Sequence, residues 1–457
     1  MDDLAELLRH VATTAADFRA GLPERAVAAP ADLAALRTAF DGLIPTEGAE
    51  PRQVVDELIR AAEPGLTASA GPRFFGFVIG GALPAATAAD MLAAGWDQCA
   101  FNAVLSPAAA AAEECAGRWL KELLGIPATA SVGFVTGGQE ANTVGLAAAR
   151  HHVLATAGWD VERDGLIGAP PLRVVAGEER HATIDRSLRL LGLGTARVEP
   201  VVTDDNGAID VDDLDRVLAG GSGPLIVCLQ SGNVNTGACD DLRAACELVH
   251  AHGGWAHVDG AFGLWAAANP ATAHLLDGVE LADSWGCDGH KWLNVPYDSG
   301  FSFCSRPAVH VAAMSHAAPY LTGSGGETAA LGDVVLGSSR RARGFAVWAA
   351  LRELGADGVA ALVERCCALA RRFADRLAAG GLEVVNGVVL NQVLVGVGEA
   401  DADRVADAVR RDGACWLGAT TWRGRRLLRV SVSNHATTAD DVDRSADAIL
   451  RAVAALG

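Results

Sequence analysis

Residues 283–292 read Asp-Ser-Trp-Gly-Cys-Asp-Gly-His-Lys-Trp, and the interpretation of the chain begins with the lysine of this stretch, Lys291. The chain has 37 basic residues, yet only Lys121 and Lys291 are lysines. Arginine stays protonated at any accessible pH, whereas a partly buried lysine amine loses its proton and can attack a carbonyl carbon. Two tryptophans and several small residues flank Lys291, and such neighbours suit a solvated ammonium poorly. The stretch therefore favours a buried, nucleophilic lysine over a surface one.

Length and composition exclude several classes of protein. The chain has 457 residues, of which 50% are apolar and 20% charged, so we expect a globular protein with one large domain and one or two smaller ones. The formal charge of −19 disfavours nucleic-acid and membrane partners. No apolar run is long enough to span a bilayer and no leader pattern is present, so we expect a cytoplasmic protein. The ten cysteines form no C-x-x-C pair, and we expect no metal site.

Three regions of the chain have different patterns. Apolar residues at helical spacing in residues 1–70 predict a helical arm, which would pack on another chain or domain. In residues 71–338, short apolar runs alternate with amphipathic segments from about residue 132, which predicts an α/β domain with a mostly parallel sheet and helices on both faces. Residues 339–457 begin with helical spacing at 339–354 and 359–379, continue with short strands and predict a small α+β domain.

Aromatic residues cluster early in the second region. Residues 72–81 read Pro-Arg-Phe-Phe-Gly-Phe-Val-Ile-Gly-Gly, which fits either a buried strand or the wall of a substrate pocket. The same ambiguity between core and pocket applies to the aromatic residues that follow. The candidate substrate contacts of this region are Phe75, Phe77, Trp96, Gln98 and Phe101.

Four features fall at predicted strand ends, where parallel sheets bind their ligands. The first is the turn Gly137-Gly138 between a strand and a helix, whose backbone N–H groups form an anion cradle suited to a phosphate. The second is His181 at the head of a helix, which could stack on a flat ring and relay protons, or could simply cap the helix. Asp259 ends a buried strand and needs a partner, for which a protonated ring nitrogen would serve.

Lys291 is the fourth feature and follows Asp259 by about one strand–helix–strand unit. A phosphate cradle, a stacking histidine, a carboxylate for a ring nitrogen and a Schiff-base lysine occur in this order on successive strands. Each motif is weak alone, but their joint order suits pyridoxal 5′-phosphate as cofactor. The absence of a Gly-Lys pair disfavours a P-loop NTPase, and no G-x-G-x-x-G motif supports a dinucleotide-binding dehydrogenase.

At this point the chain resembles a known family, the group II amino-acid decarboxylases of fold type I. These enzymes use pyridoxal phosphate and include the aromatic-amino-acid, glutamate and cysteine-sulfinate decarboxylases. The resemblance covers essentially the whole chain and rests on residues 72–76, 136–142, His181, 258–262, 283–284, 290–292 and 340–343. It implies a large domain of the aspartate-aminotransferase type, a small C-terminal domain and a homodimer with its active sites at the interface.

The resemblance also implies a mechanism. Lys291 would hold the cofactor as a Schiff base, an incoming L-amino acid would displace it, and loss of CO2 would give a quinonoid intermediate. His181 would stack on the cofactor ring, and Asp259 would bind the ring nitrogen. The further cofactor contacts that it suggests are Gly137, Gly138, Gln139, Asn233, Asn235, Ala261 and His290.

Two departures from the family pattern matter. Asp288-Gly289 replaces the Asn-Pro that often precedes His-Lys, and we leave Asp288 out of the cradle because a carboxylate beside a phosphate is unfavourable. In relatives a mobile loop supplies a tyrosine that protonates the intermediate, but residues 321–337 contain none. Tyr320 is the candidate for that catalytic role; otherwise His181 or water would fill it.

The leading hypothesis is therefore a decarboxylase of an L-amino acid, with an aromatic or apolar side chain as one option. A second hypothesis keeps the cofactor but changes the outcome, to a lyase or to an oxidative deaminase that couples decarboxylation to aldehyde formation. A third is a dimeric scaffold without cofactor, and the retention of Lys291 in a chain with almost no lysine argues against it.

Overall fold

The computed structural model describes residues 2–316 and 330–457, so Tyr320 lies outside the described residues. Three helices begin the chain, and two further helices lead into the first sheet. Their bounds are α1 (Asp2–Gly21), α2 (Leu33–Phe40), α3 (Pro51–Ala62), α4 (Pro84–Trp96) and α5 (Pro107–Leu123). The α5 helix begins as the sequence predicts, with Ser106 accepting a hydrogen bond from the Ala109 N–H and proline at the first helical position.

The central sheet has seven strands in the order β1-β7-β6-β5-β4-β2-β3. Its strands are β1 (Ser131–Val135), β2 (Arg173–Gly177), β3 (Val198–Val201), β4 (Leu225–Gln230), β5 (Trp255–Asp259), β6 (Ser284–Asp288) and β7 (Gly300–Cys304). The helices of this region are α6 (Gly138–Thr156), α7 (Val161–Asp164), α8 (Ala182–Leu190), α9 (Val211–Ala219), α10 (Leu242–Ala251) and α11 (Pro307–Met314). Only β7 runs antiparallel to its neighbours. The mostly parallel α/β sheet predicted from sequence is confirmed.

A second, antiparallel sheet follows in the order β10-β11-β9-β8. Its strands are β8 (Glu383–Val384), β9 (Gln392–Gly396), β10 (Gly418–Trp422) and β11 (Arg425–Ser431). The accompanying helices are α12 (Gly344–Ala379), α13 (Ala402–Asp412) and α14 (Ala439–Leu456). The capping box at Thr438 and Asp441 opens α14, as its spacing predicts.

The strand directions bring the functional residues together. Because β1, β2, β4, β5 and β6 run the same way, their carboxyl ends meet at one edge of the central sheet, where β7 begins. Asp259 is the last residue of β5 and Asp288 the last of β6. Both strands are buried along their whole length, which fixes these two carboxylates at the edge.

The aromatic segment 72–81 is mostly turns and irregular backbone rather than a strand of the central sheet. It pairs with the second sheet, since the Phe75 N–H donates to the Trp416 carbonyl and the Ser431 N–H to the Phe75 carbonyl. The Phe75 side chain is 1% exposed and packs edge-on against Phe373 in the core. This packing accounts for the burial of the Phe75 ring, and its role as a substrate contact stays a prediction.

The segment before α12 also differs from the prediction. Helical spacing predicts a helix from Ser339 to Leu354, but the helix begins at Gly344 and residues 339–343 are not helical. Arg341 forms an isolated bridge with Cys99. The buried guanidinium of Arg340 makes two 2.7 Å hydrogen bonds to the Glu113 carboxylate of α5. These tertiary contacts outweigh the local helical preference.

No helix within the described ranges is both long and apolar enough to cross a membrane.

The polypeptide between β5 and β6 forms short 3-10 turns around three fully buried tryptophans, Trp255, Trp265 and Trp285. Each indole N–H has a partner: the Ser284 hydroxyl, the Asp288 carbonyl and the Val279 carbonyl, respectively. Satisfied indoles make this part of the sheet a rigid support for the edge.

Candidate active site

The Gly137-Gly138 turn joins β1 to α6 at the carboxyl edge and is packed closely. A Cβ on Gly137 would lie 2.7 Å from His290, and one on Gly138 would lie 3.0 Å from the Asp288 carboxylate. Neither glycine could therefore be replaced without displacing these side chains. The N-terminus of α6 borders this space, where the sequence predicts an anion cradle, and its first N–H, that of Gly138, donates to the Asp288 carboxylate.

Asp288 lies inside the cradle, and its exclusion in the sequence analysis is corrected. Its Oδ1 accepts a hydrogen bond from the Gly138 N–H and lies 3.3 Å from His290 Nε2, while Oδ2 lies 3.0 Å from Lys291 Nζ. The side chain is 3% exposed. A buried carboxylate requires such donors, and a helix N-terminus and an ammonium supply them.

Lys291 is the largely buried lysine that the sequence predicts, with 17% of its side chain exposed. It follows β6 in a turn that hydrogen bonds to Ser299 hold in place. The Gly289 and His290 N–H groups donate to the Ser299 carbonyl, and the Ser299 N–H donates to His290 Nδ1 at 3.1 Å. Burial lowers the pKa of His290, and Tyr297 stacks on its ring at a centroid distance of 4.2 Å.

His181 caps α8, and it lies close enough to Asp259 and Lys291 to feel their charges, while its stacking on a cofactor ring stays a prediction. Its Nδ1 accepts a hydrogen bond from the Thr183 N–H at 3.3 Å and lies 2.8 Å from the Thr183 hydroxyl. Burial lowers the pKa of His181, partly opposed by the negative charge of Asp259. A neutral imidazole whose Nδ1 accepts a hydrogen bond carries its proton on Nε2.

Asp259 is 4% exposed and has no cationic partner among the described residues. Its Oδ1 accepts from the Ala261 N–H at 3.3 Å, and its Oδ2 lies 3.5 Å from the Thr183 hydroxyl, which is nearer to His181 Nδ1. Two long contacts satisfy a buried carboxylate poorly. The site therefore has room for a positively charged ligand atom at Asp259.

A buried polar chain supports Thr183 from behind. Asn142 of α6 donates to the Thr183 hydroxyl at 3.1 Å and accepts from His257 Nε2 at 3.1 Å. The Ser284 hydroxyl lies 2.8 Å from His257 Nδ1 and accepts the indole N–H of Trp255. Burial lowers the pKa of His257 to about 3, so its ring is neutral and can complete this chain without an unpaired atom.

The other predicted cofactor contacts have different surroundings. Gln139 points its amide toward α8, where it donates to the Ser187 hydroxyl at 2.9 Å. Asn233 donates to the Glu179 carbonyl and accepts the Asn235 N–H, so it holds its own loop together. Asn235 instead accepts the Thr420 hydroxyl of β10 at 2.9 Å. Ala261 lies against Gly138 and is the one of this group that borders the cradle.

The remaining candidate substrate contacts fall in two places. Phe77 is 62% exposed and tilts against Trp416 at 5.1 Å. Its segment continues to Gly80, where an added Cβ would lie 1.9 Å from the Lys291 carbonyl. Trp96 is half exposed and packs on Phe345. Gln98 and Phe101 contact Ser106 and Gly332, respectively, beside the segment that precedes α12.

Arg429 of β11 belongs to the site although sequence analysis did not select it. Burial lowers the pKa of its guanidinium, and its positive charge contributes to the lowered pKa of His181. Its one hydrogen bond within the described part of the chain is a long one, 3.4 Å to the Val234 carbonyl. A partly buried cation with so little compensation is suited to an anionic ligand group. No sequence signal links β11 of the second sheet to His181, which caps α8 after β2 of the central sheet.

Similarity to known proteins agrees with this geometry. A family described as the pyridoxal-dependent decarboxylase conserved domain matches residues 34–395. The chain belongs to the pyridoxal-dependent decarboxylase family. It is an amino-acid decarboxylase by family, and pyridoxal phosphate is its cofactor.

Individual relatives of this decarboxylase are moderately similar in sequence and very similar in fold. Tryptophan decarboxylase 1 of Oryza sativa subsp. japonica is 29% identical over 424 residues, which cover 85% of this chain and 82% of that protein. The 4-hydroxyphenylacetaldehyde synthase of Rhodiola rosea is 26% identical, and the aligned residues cover 73% of this chain and 69% of that protein. The crystal structure of Oryza sativa TDC with PLP and tryptamine superposes with a TM-score of 0.91 at 25% identity. The superposition covers 100% of this chain and 99% of that chain.

The residues of the site fit the cofactor of the family. The cradle accepts an anion, Asp259 lacks a cation, and Lys291 offers a buried amine at the same sheet edge. By contrast, no group of three or more His, Cys, Asp or Glu side chains in residues 2–316 and 330–457 is arranged to hold a metal.

Proposed function

We propose that this decarboxylase removes the α-carboxyl group of an aromatic L-amino acid and that Lys291 carries the cofactor. The observation that carries the proposal is the position of the Lys291 amine. It is largely buried, and it shares one sheet edge with a glycine cradle and a carboxylate that lacks a cation. The bound cofactor supplies an electron sink for the carbon that loses CO2.

The chain's own residues would then divide the work. The α6 N-terminus at Gly137 and Gly138 would bind the phosphate, and Asp259 would hold a proton on the ring nitrogen. His181 would lie against the face of the ring, with its Nε2–H turned toward the substrate. Arg429 would bind the α-carboxylate of an incoming substrate, because a guanidinium pairs with a carboxylate through two parallel hydrogen bonds.

An aromatic substrate is supported by the exposed ring of Phe77 beside Trp416, on a segment that contacts the Lys291 backbone. The name of the rice relative, a tryptophan decarboxylase, points the same way. Trp96, Gln98 and Phe101 would complete the pocket if a second subunit brings them to it. Exposed aromatic rings favour a flat apolar side chain through stacking and area burial.

A panel of L-amino acids tests both the reaction and the specificity. We expect CO2 and the corresponding amine from tryptophan, tyrosine or phenylalanine, with kcat/KM at least about a hundredfold above that for glutamate, since a buried charge without a partner is costly. A preference for acidic substrates would contradict the aromatic pocket. Retention of the carboxylate in every substrate would contradict the decarboxylase assignment for this chain.

Aldehyde formation is the second candidate. Residues 321–337 contain no tyrosine, so unless Tyr320 fills the role the loop donor implied by family resemblance is missing. The Rhodiola relative is named as an aldehyde synthase. If the reaction takes this course, turnover consumes O2 and yields ammonia and peroxide together with the aldehyde. Amine formation without O2 uptake would exclude it.

We further propose a cytoplasmic homodimer with an N-terminal arm at 1–70, a large domain at 71–338 and a small one at 339–457. All ten cysteines are free thiols, which suits a reducing compartment. The arm exposes several large apolar side chains, which suits contact with a second copy. These exposed residues are Leu4, Leu8, Leu33, Phe40, Leu43, Ile44, Val54 and Leu58.

A further inference from the structure

The anion cradle already holds an anion that belongs to the chain itself. The Asp288 carboxylate accepts the Gly138 N–H at the start of α6, and its other oxygen lies 3.0 Å from Lys291 Nζ. Both groups are ones that the proposed function requires for the cofactor. The same carboxylate therefore contacts the phosphate-binding turn and the Schiff-base lysine at once.

The main chain of Asp288 is fixed, so its side chain can yield this position only by rotating. Its N–H donates to the Ala261 carbonyl at 2.9 Å, and its carbonyl accepts the Trp265 indole N–H at 3.0 Å. The residue ends a fully buried strand and is 2% exposed. Rotation of the side chain would leave the Gly138 N–H and Lys291 without their present partner.

A phosphate group and this carboxylate cannot share the cradle at low cost. Both are anions, the site is buried, and like charges in a buried site repel strongly. An asparagine of the same shape would still accept the Gly138 N–H through its amide oxygen but would carry no charge. The charge of Asp288 can therefore be separated experimentally from its shape.

We propose that Asp288 sets the anion affinity of the cradle by acting as an internal competitor. In the cofactor-free protein it occupies the α6 N-terminus and pairs with Lys291, and a phosphate group binds only when the carboxylate gives up both contacts. This inference rests on the proposed function in one respect, namely that the cradle is the phosphate site. It predicts that removing the charge of Asp288 tightens phosphate binding.

The test is Asp288→Asn in cofactor-free protein, with two probes. Inorganic phosphate is titrated by calorimetry, and pyridoxal phosphate by its absorbance and by tryptophan fluorescence. We expect dissociation constants at least tenfold lower than wild type for both probes. Asp298→Asn is the matched control: it removes a charge from the same turn, where Asp298 pairs with Arg343, and it should change either constant less than twofold.

Each outcome has a defined meaning. Unchanged or weaker phosphate binding by Asp288→Asn, in protein with a wild-type melting temperature, would overturn the inference. If Asp288→Asn unfolds, Asp288→Ser serves instead, since it also lacks the charge, and the same criterion applies. Tighter inorganic phosphate without any binding of pyridoxal phosphate would uphold the competitor role of Asp288 and sink the proposed cofactor site, so the two failures are distinguishable.

Discussion

The two lysines of the chain have different surroundings, which explains why both remain where arginine is otherwise used. The Lys121 amine donates to the Ala128 and Ala130 carbonyls at 2.6 and 2.7 Å. A compact ammonium fits between two carbonyls better than a planar guanidinium does. Lys291 instead pairs with a carboxylate in the cradle. Under the proposed function, only Lys291 has chemistry that requires an amine.

Lys291→Arg should abolish catalysis while keeping the positive charge beside Asp288. A guanidinium forms no Schiff base at neutral pH, so amine formation should fall at least about a thousandfold. Lys121→Arg is the matched control and should keep most of the activity. Borohydride reduction followed by peptide mapping should place a pyridoxyl group at position 291 in the wild type. A tag at Lys121 instead would refute the assignment.

Thr183 is expected to hold His181 in place, because its hydroxyl joins His181, Asn142 and Asp259. Thr183→Val removes the hydroxyl at nearly constant volume and should lower kcat about tenfold, in the range typical of a lost buried hydrogen bond. Thr183→Ser should restore it. The nitrogen chemical shifts of His181 in cofactor-free protein report the tautomer, and an unchanged Nε2–H form in Thr183→Val would count against this role.

His257 should make the protein less stable in acid. Its pKa is about 3 when folded and near 6.5 when unfolded, so the unfolded state binds the proton first as pH falls. Its contribution should therefore decrease by about 1.4 kcal/mol per pH unit below pH 6.5. Urea unfolding of wild type and His257→Gln at pH 7, 6 and 5 measures this contribution to the free energy of unfolding. The difference between the two proteins should shrink toward acid; a constant difference would contradict the burial argument.

For single residues, the sequence predicted the candidate site residues that follow strands of the central sheet. It missed those that approach the site from other elements. His181, Asp259 and Lys291 could be found because strand ends converge on one edge. Arg429 could not, because it reaches the site from another sheet. Asp288 was left out because a carboxylate repels a phosphate; the sequence could not show that, without a phosphate, its carboxylate contacts Lys291 and the Gly138 N–H.

Among the elements, α12 shows where local pattern and tertiary contact disagree. Its spacing predicts an earlier start, but the Arg340 side chain is drawn to Glu113 on α5. Gly355 then interrupts α12 with a φ of 62°, a conformation that favours glycine. The sequence predicted two helices here, at 339–354 and 359–379, so the interruption was anticipated and the starting residue was not.

Glu113→Gln should destabilise the junction between α5 and α12. The pair is almost fully buried, and burial raises the pKa of Glu113 against the opposing charge of Arg340. Neutralising one partner leaves a buried charge uncompensated, which costs about 3 kcal/mol. Glu114→Gln, one residue along the same helix and exposed, is the control and should change the free energy of unfolding by less than about 0.5 kcal/mol. Equal effects in urea denaturation would refute the role of the pair.

For the whole molecule, period and composition predicted the α/β sheet, the second sheet and the helices at the start of the chain, because each depends on regular patterns. The association of two chains leaves no such periodic signal. The exposed apolar side chains of the arm are the main structural reason to expect it. Whether Trp96 and Phe101 contribute to the substrate pocket also depends on whether two chains associate.

Sedimentation equilibrium should give twice the chain mass of 46.9 kDa. Leu4→Asp with Leu8→Asp places two charges on the exposed apolar face of α1 and should shift the protein toward monomer with a parallel loss of activity. Asp3→Asn, which alters a neighbouring polar position, is the control. A monomeric wild type with full activity would contradict the dimer.

The scarcity of lysine also governs how the molecule responds to acylating reagents. Nearly all of its positive charge is carried by guanidinium groups, which do not react with activated esters at neutral pH. Of the two side-chain amines, one is tied to carbonyl oxygens and the other lies in the cradle, so fluorophores and crosslinkers of this class have very few targets. A single acylated site that cofactor protects would then report occupancy of the cradle directly.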